Sequence, residues 1–325
     1  MSTARGHGAG AAREAPAVVR HELYPYAGDD AFLSATLRFI GDAVDGDEAV
    51  VVAVPPGKAA LLRPEVPPGR PVRFVDPATY GGNPGRLIAA WQSWVDEYVR
   101  AGRPVRTISE TDWAHARTPA DVAELRYHEW LLNKVLAQTP AWSMLCPFDT
   151  TGTGPDALRA LGRCHPLVLR EGRSEASADW SDEAGYTFED LSRPCEPHEE
   201  LPYARGDLAA VRDRITHCAT AQGMKGRRLR ELHVAATEVA TNTIRHGGGH
   251  GTLRIWTEGD ALVCEFEDAG YIKDPLAGRI RPANGQLGGR GLWLVHQFCD
   301  LVEIRSTPEA GTRIRLHMGL HAEEG

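Results

Sequence analysis

The chain has 325 residues, 42% of them hydrophobic and 25% charged, a balance that fits a globular protein of two ordinary domains. A formal net charge of −8 argues against a general nucleic-acid binder, which carries a basic stripe, and no apolar run is long enough to span a membrane. Cysteines at 146, 164, 195, 218, 264 and 299 form no CxxC pair, so reduced thiols and a cytoplasmic location are expected rather than a disulfide scaffold.

The first 20 residues are mostly small and lack the apolar segment of a secretory signal; they read as a disordered tail. Beyond them, short apolar runs alternate with helical periodicity. "AVVVAV" (49–54), "VRFVD" (72–76), "SMLCPFD" (143–149) and "HPLVL" (165–169) predict buried strands. "PGRLIAAWQSWVDEYVRAG" (84–102) and "PADVAELRYHEWLLNKVLAQ" (119–138) carry apolar residues at i, i+3, i+4 and predict helices. Alternation of this kind predicts an α/β domain over 21–170 with a mainly parallel sheet covered on both faces.

Two stretches in this half imitate phosphate sites. "VPPGKAA" (54–60) has the Gly-Lys of a phosphate loop, but Val52 and Ala59 stand where that loop needs Gly and Ser or Thr. "GTGPDA" (152–157) fits a dinucleotide fingerprint, yet it follows a late strand; a turn with Pro155 opening a helix is the better reading. Residues 171–202 are acidic, poor in aliphatics and broken by prolines. They predict an interdomain linker, docked in part through Trp180, Tyr186 and Phe188.

The order of elements then changes. "DLAAVRDRITHCATAQG" (207–223) and "RRLRELHVAATEVATNTIRHG" (227–247) predict two helices, the second stopping at Gly247. "TLRIWTEGDALVCEFEDAG" (252–270) predicts two strands about a Gly259–Asp260 turn, and "LVEIRSTPEAGTRIRLHM" (301–318) a closing hairpin. "RGLWLVHQFCD" (290–300) is a short helix between them. Helices segregated from hairpins predict an α+β sandwich over 203–325. "HGGG" (246–249) matches an esterase oxyanion loop, but the chain has no G-x-S-x-G elbow to go with it. His246 and His250 straddle three glycines, and no neighbouring cysteine or carboxylate pattern completes a zinc set.

Four pieces of this second half make chemical sense together. Glu238 and Asn242 are four apart on one helix and lie off its apolar stripe of Leu229, Leu232, Ala236, Val239 and Thr243. Asp268 ends a strand with Gly270 just beyond, so a carboxylate can meet an exocyclic amine while a flat base approaches the backbone. "GGRGLWLV" (288–295) runs a glycine loop into a helix N-terminus, which suits phosphate. Gly311 and Thr312 bring a hydroxyl into the last hairpin, where it is expected to support the Asp.

The ordered set resembles the GHKL (Bergerat-fold) ATPases over residues 203–320. By that resemblance Glu238 is the catalytic acid/base and Asn242 holds Mg²⁺ through ATP. Asp268 and Gly270 read adenine, Gly289, Gly291 and Leu292 form the phosphate loop, and Gly311 and Thr312 complete the site; Arg290, inside that loop, is open to either adding charge at the phosphates or facing solvent. The short segment after Gly270 and the stretch "ATEVATNTIRHG" look most like the anti-sigma-factor serine kinases. That branch implies a sigma-factor partner and a STAS-type anti-anti-sigma substrate. The alternatives are an ATP-binding regulatory module without kinase activity and a sensor histidine kinase-like protein, for which His198 is the nearby acceptor.

Residues 20–170, through "HELYPYAGDD", "YHEWLLNKVL" and "LCPFDT", resemble the MEDS sensory domain. The resemblance implies a RecA-like core without a phosphate loop and an unidentified small-molecule signal. Its match positions are His21, Tyr24, Tyr26, Glu129, Asn133 and Cys146, for which packing roles and ligand contacts stay equally open. A homodimer is compatible with either half.

Overall fold

The computed structural model describes residues 19–77, 82–110, 118–151, 153–181, 190–192, 194, 198–283, 285 and 289–320. In the N-terminal half, β1 (His21–Tyr26), α1 (Asp29–Asp45), β2 (Ala49–Ala53), α2 (Pro56–Leu62) and β3 (Val72–Val75) are followed by α3 (Leu87–Arg100) and β4 (Val105–Ser109). Then come α4 (Pro119–Ala137), β5 (Trp142–Asp149), α5 (Pro155–Gly162), β6 (Leu167–Arg170) and β7 (Arg173–Ala176). They form one sheet in the order β3-β2-β4-β5-β1-β6-β7, with only β7 antiparallel to its neighbour.

Strand β2 shows why the sheet is covered twice. Its side chains alternate faces. Ala49, Val51 and Ala53 enter a core with Trp91, Trp94, Trp130 and Leu131 of α3 and α4, while Val50 and Val52 enter another with Phe32 and Ile40 of α1. Helix α4 begins with a full capping box between Thr118 and Asp121, with Pro119 in its first turn. It is buried almost all round, and the buried set includes Glu124, His128, Glu129 and Asn133. A helix hidden on every side is packed between two layers; here the second layer is the C-terminal half. Strand β1 escapes the apolar-run reading because it is polar, yet it lies deep in the sheet with His21 and Glu22 buried.

The C-terminal half contains β8 (Glu199–Ala204), α6 (Leu208–Ala221), α7 (Gly226–His246), β9 (His250–Glu258) and β10 (Ala261–Asp268). It closes with α8 (Arg290–Phe298), β11 (Leu301–Thr307) and β12 (Gly311–Gly319). The antiparallel order is β11-β12-β10-β9-β8. One face packs Leu253, Ile255, Cys264, Phe266 and Leu316 against Val211 and Ile215 of α6 and Leu232, Ala236 and Val239 of α7. The opposite face carries ion pairs instead: Glu265 meets Arg254 at 3.1 Å and Arg315 at 2.7 Å.

The acidic segment 171–202 is not all linker. β7 extends the first sheet and the start of β8 belongs to the second. Both are edge strands, and every residue of β7 is exposed, so charged residues pair through their backbones without burying side chains. Trp180 is partly buried, whereas Tyr186 and Phe188 lie outside the described residues. Among the described residues no helix is long and apolar enough to cross a membrane.

Candidate functional site

A cleft of about 570 Å³ opens between α7, the end of β10, the start of α8 and the segment 271–282. Its lining includes Asn242, Asp268, Gly270, Gly289, Gly291, Leu292 and Thr312. Residues scattered over seventy positions of sequence therefore converge, and the volume suits a ligand of nucleotide size.

Asp268 is held from two sides. Thr243 Oγ1 donates to its Oδ2 at 2.6 Å, and the backbone N–H of Gly270 donates to Oδ1 at 2.8 Å. Those bonds fix the carboxylate plane and leave lone pairs for a ligand amine. Gly247, the first residue after α7, is the reason Asp268 fits there: a Cβ at 247 would stand 2.3 Å from the Asp268 Cγ. Thr312 does not touch the carboxylate. Its hydroxyl donates to the Gly270 carbonyl at 2.8 Å and accepts from Ser306 at 2.7 Å, supporting Asp268 through the Gly270 backbone. The residue that does the expected job is Thr243, which the apolar stripe of α7 concealed.

Glu238 and Asn242 project from the partly exposed side of α7 toward the start of α8. A Cβ on Gly291 would lie 2.6 Å from Glu238 Oε2 and 3.6 Å from Asn242 Nδ2. The acid, the amide and the first turn of α8 thus share one small space. Gly289 caps α8 in the left-handed conformation, with φ of 77°, which leaves the free N–H groups of that turn at the cleft. Arg290 is exposed and is not part of the cleft lining. Gly288 lies outside the described residues. His246 lines the cleft rim and His250 is exposed and bonds back to Gly248 O, as a helix end and a loop would have them.

The donor set fits an adenine nucleotide with magnesium: an oriented carboxylate for the amine, an Asn–Glu pair, and a helix N-terminus for phosphate. Asn242 would hold the ion, which supplies charge neutralisation on the phosphates.

Among the described residues the first domain touches this site in two places. Asn83 Nδ2 donates to the carbonyls of His296 and Cys299 at 3.0 Å each, and Arg86 donates to the same two at 2.7 and 2.9 Å. The N-terminal half therefore caps the far end of α8, a helix roughly 13 Å long whose other end carries Gly289 and Gly291. The second contact is to the segment that walls the cleft. Arg279 is gripped by Glu124 of α4 at 2.7 Å and lies 4.9 Å from the Tyr127 ring centroid. Leu276 is packed within the core of the first domain.

The N-terminal match positions divide into two groups. Tyr24 donates to Ala31 O at 2.8 Å, near the start of α1, and Tyr26 to Glu110 at 2.5 Å, away from the others. His21, Glu129, Asn133 and Cys146 come together, and His165 joins them. Burial, then the neighbouring His165, lowers His21 to about 4. Burial also pushes the Cys146 thiol well above its ordinary value. Lys58, from the false phosphate loop, bonds Asp29 at 2.8 Å and lies over Tyr26 and Phe32. Pro155 opens α5.

Comparison with protein families agrees with both halves. The C-terminal half matches the family described as Histidine kinase-like ATPase domain over residues 201–318. The N-terminal half matches MEDS, the MEthanogen/methylotroph, DcmR Sensory domain, over residues 20–166. The protein thus joins a sensor to a GHKL-type ATPase module. More particularly, it carries a MEDS domain followed by a histidine kinase-like ATPase domain, which supports an ATP-binding, kinase-like regulatory module. No curated protein matches the chain.

Proposed function

We propose that the protein is a sensor-regulated, ATP-dependent protein serine/threonine kinase of the anti-sigma-factor type. It binds a sigma factor and phosphorylates a STAS-type anti-anti-sigma partner. The observation that carries the kinase reading is the placement of Glu238 against Gly291, which lines the cleft together with Asn242. A module that only bound nucleotide would need Asp268 and the glycines but no acid there.

Asp268 and the Gly270 backbone orient the adenine, and the first turn of α8 holds the phosphates. Glu238 accepts the proton of a partner serine or threonine hydroxyl. That oxygen bonds the γ-phosphorus as the bond to the ADP oxygen breaks, a transfer governed by positioning and charge neutralisation. The capped end of α8 and the Glu124–Arg279 contact support control by the sensory half, because both the phosphate helix and the cleft wall rest on it.

The test incubates the full chain with magnesium and γ-labelled ATP and a STAS-domain protein. Label on the partner's serine, lost in Glu238→Ala while nucleotide stays bound, is the expected result. Bound ATP with no transfer to any STAS partner would overturn the kinase reading in favour of a non-catalytic module. Acid-labile label on the chain itself, removed by His198→Ala, would replace it with a histidine kinase.

A further inference from the structure

A second convergent cluster lies inside the sensory half, separate from the residues that line the nucleotide cleft. His21 opens β1, Glu129 sits within α4, Cys146 within β5, and His165 just before β6. Their exposures are 0, 2, 5 and 1%. One nitrogen, oxygen or sulfur atom from each lies within 4.8 Å of all the others. We propose that this is a binding site for a zinc-type divalent cation, ligated by His21 Nε2, Glu129 Oε2, Cys146 Sγ and His165 Nε2.

The spacing is that of a coordination polyhedron. His21 Nε2 is 3.3 Å from Cys146 Sγ and 3.4 Å from Glu129 Oε2. Glu129 Oε2 is 3.5 Å from His165 Nε2 and 3.7 Å from Cys146 Sγ. Tetrahedral bonds of 2.0–2.3 Å separate ligand atoms by about 3.3–3.8 Å. Four of the six edges thus have the right length for an ion at the centre, and the ligand atoms all lie within 4.8 Å of one another.

The ring orientations point the same way. Asn133 Nδ2 is committed to carbonyls, at 3.0 Å to Trp130 O and 2.7 Å to Cys164 O, so its Oδ1 faces His21 Nδ1 at 3.1 Å as an acceptor. His21 therefore carries its proton on Nδ1. His165 Nδ1 donates to Leu161 O at 2.8 Å, which likewise leaves Nε2 bare, and that Nε2 is buried without a hydrogen bond. Two bare imidazole nitrogens, a carboxylate oxygen and a thiol share one pocket, and the thiol supplies the only proton. Metal-binding histidines are held in this way, the remote N–H anchored on a carbonyl or amide. A dication also balances the charge of one carboxylate and one thiolate, the thiol proton passing to solvent on binding. All four positions are filled by protein, which is the pattern of a closed site rather than one with an open place for substrate. The ion would pin α4 to β1 and β5, and α4 is the helix that holds Arg279.

The test uses the full chain, purified under reductant, stripped with a chelator and titrated with zinc chloride or cobalt(II) chloride. One equivalent per chain is expected, with cobalt giving a tetrahedral spectrum and a thiolate charge-transfer band. Cys146→Ser removes that band. Asn133→Leu, which removes the acceptor of His21 Nδ1 together with the amide's bonds to Trp130 O and Cys164 O, weakens zinc about 10–100-fold, and His165→Ala weakens it further. No bound ion in the unaltered chain, or an unchanged cobalt spectrum in Cys146→Ser, would overturn the site and leave a buried hydrogen-bond network. Should the variants fail to fold, ¹⁵N spectra of the unaltered chain decide: zinc must shift Nε2 of both His21 and His165, and unmoved signals would refute the proposal.

Discussion

Glu124 of the sensory half and Arg279 of the ATPase half form an ion pair at 2.7 Å with 1% of either side chain exposed. The other Glu124 oxygen accepts from Arg305 of β11 at 2.8 Å. Removing one member of such a pair leaves an uncompensated buried charge. Glu124→Ala is therefore expected to destabilise the chain by about 3–5 kcal/mol, while an apolar replacement of both partners recovers most of the loss. Urea unfolding of Glu124→Leu, Arg279→Met and the double variant measures this. If the double variant is no better than the sum of the singles, the pair is not coupled as its geometry requires. The same variants read out the coupling, because Arg279 lies in the segment that walls the cleft: ATP affinity should change in Glu124→Leu although Glu124 is not part of the cleft lining.

Glu238 is not among the residues that line the cleft but stands against Gly291, which is. Glu238→Gln keeps the shape and removes the base. Phosphate transfer should fall by about 10²–10⁴, the usual contribution of a positioned proton acceptor. ATP affinity should stay within a few-fold of the parent, as calorimetry would show. A loss of binding that matches the loss of rate would assign Glu238 to holding nucleotide instead.

The carboxylate of Asp268 depends on Thr243 at 2.6 Å. Thr243 is 1% exposed, so Thr243→Val is nearly isosteric and leaves one carboxylate oxygen short of a buried donor. The loss of a hydrogen bond to a charged group is worth about 1.5–3 kcal/mol, and it should appear as weaker ATP binding through a misoriented Asp268. Asp268→Asn presents an N–H₂ or a reoriented amide to the adenine amine and should discriminate more sharply. Its loss should be larger for ATP than for a nucleotide whose base lacks that amine. Equal losses for both nucleotides would show that Asp268 does not read the base.

Much of the second half is legible in the sequence because its signals are local. The Glu238–Asn242 spacing needs only helical periodicity, and the turn at Gly259 needs only two alternating strands. Thr243 is not legible because a buried threonine on an apolar stripe reads as packing, and only the fold brings β10 beside it. Gly247 reads as a helix stop, which it is, but its lack of a side chain also makes room for Asp268. In the first half, β1 gives no apolar-run signal because "HELYPY" is polar. Its polarity serves the His21 cluster, and His165, more than a hundred residues later, carries no local mark. The domain contacts through Asn83, Arg86 and Glu124 are long-range by nature, and no periodicity encodes them. The edge strands β7 and β8 were hidden by their charge, because an edge needs backbone pairing rather than burial.

Asn83 gives the last prediction, because it tests whether the first domain braces the phosphate helix. Its amide donates to two carbonyls at the C-terminus of α8 and its Oδ1 accepts from Gly85 N at 2.9 Å, all in a residue 1% exposed. Helix ends leave carbonyls without partners in their own helix, and here another domain supplies them. Arg86 reaches the same carbonyls, so Asn83→Ala should cost about 1–3 kcal/mol, the penalty for buried groups left unsatisfied, without unfolding the chain. The informative measurement is local. Amide hydrogen exchange within 290–298 should quicken in the variant while α7 stays protected, since α7 is held by its own core. ATP affinity should fall with it, because Gly289 and Gly291 stand on the same helix. If exchange in α8 is unchanged, the cap is ornamental and the sensory half acts on the cleft only through Arg279.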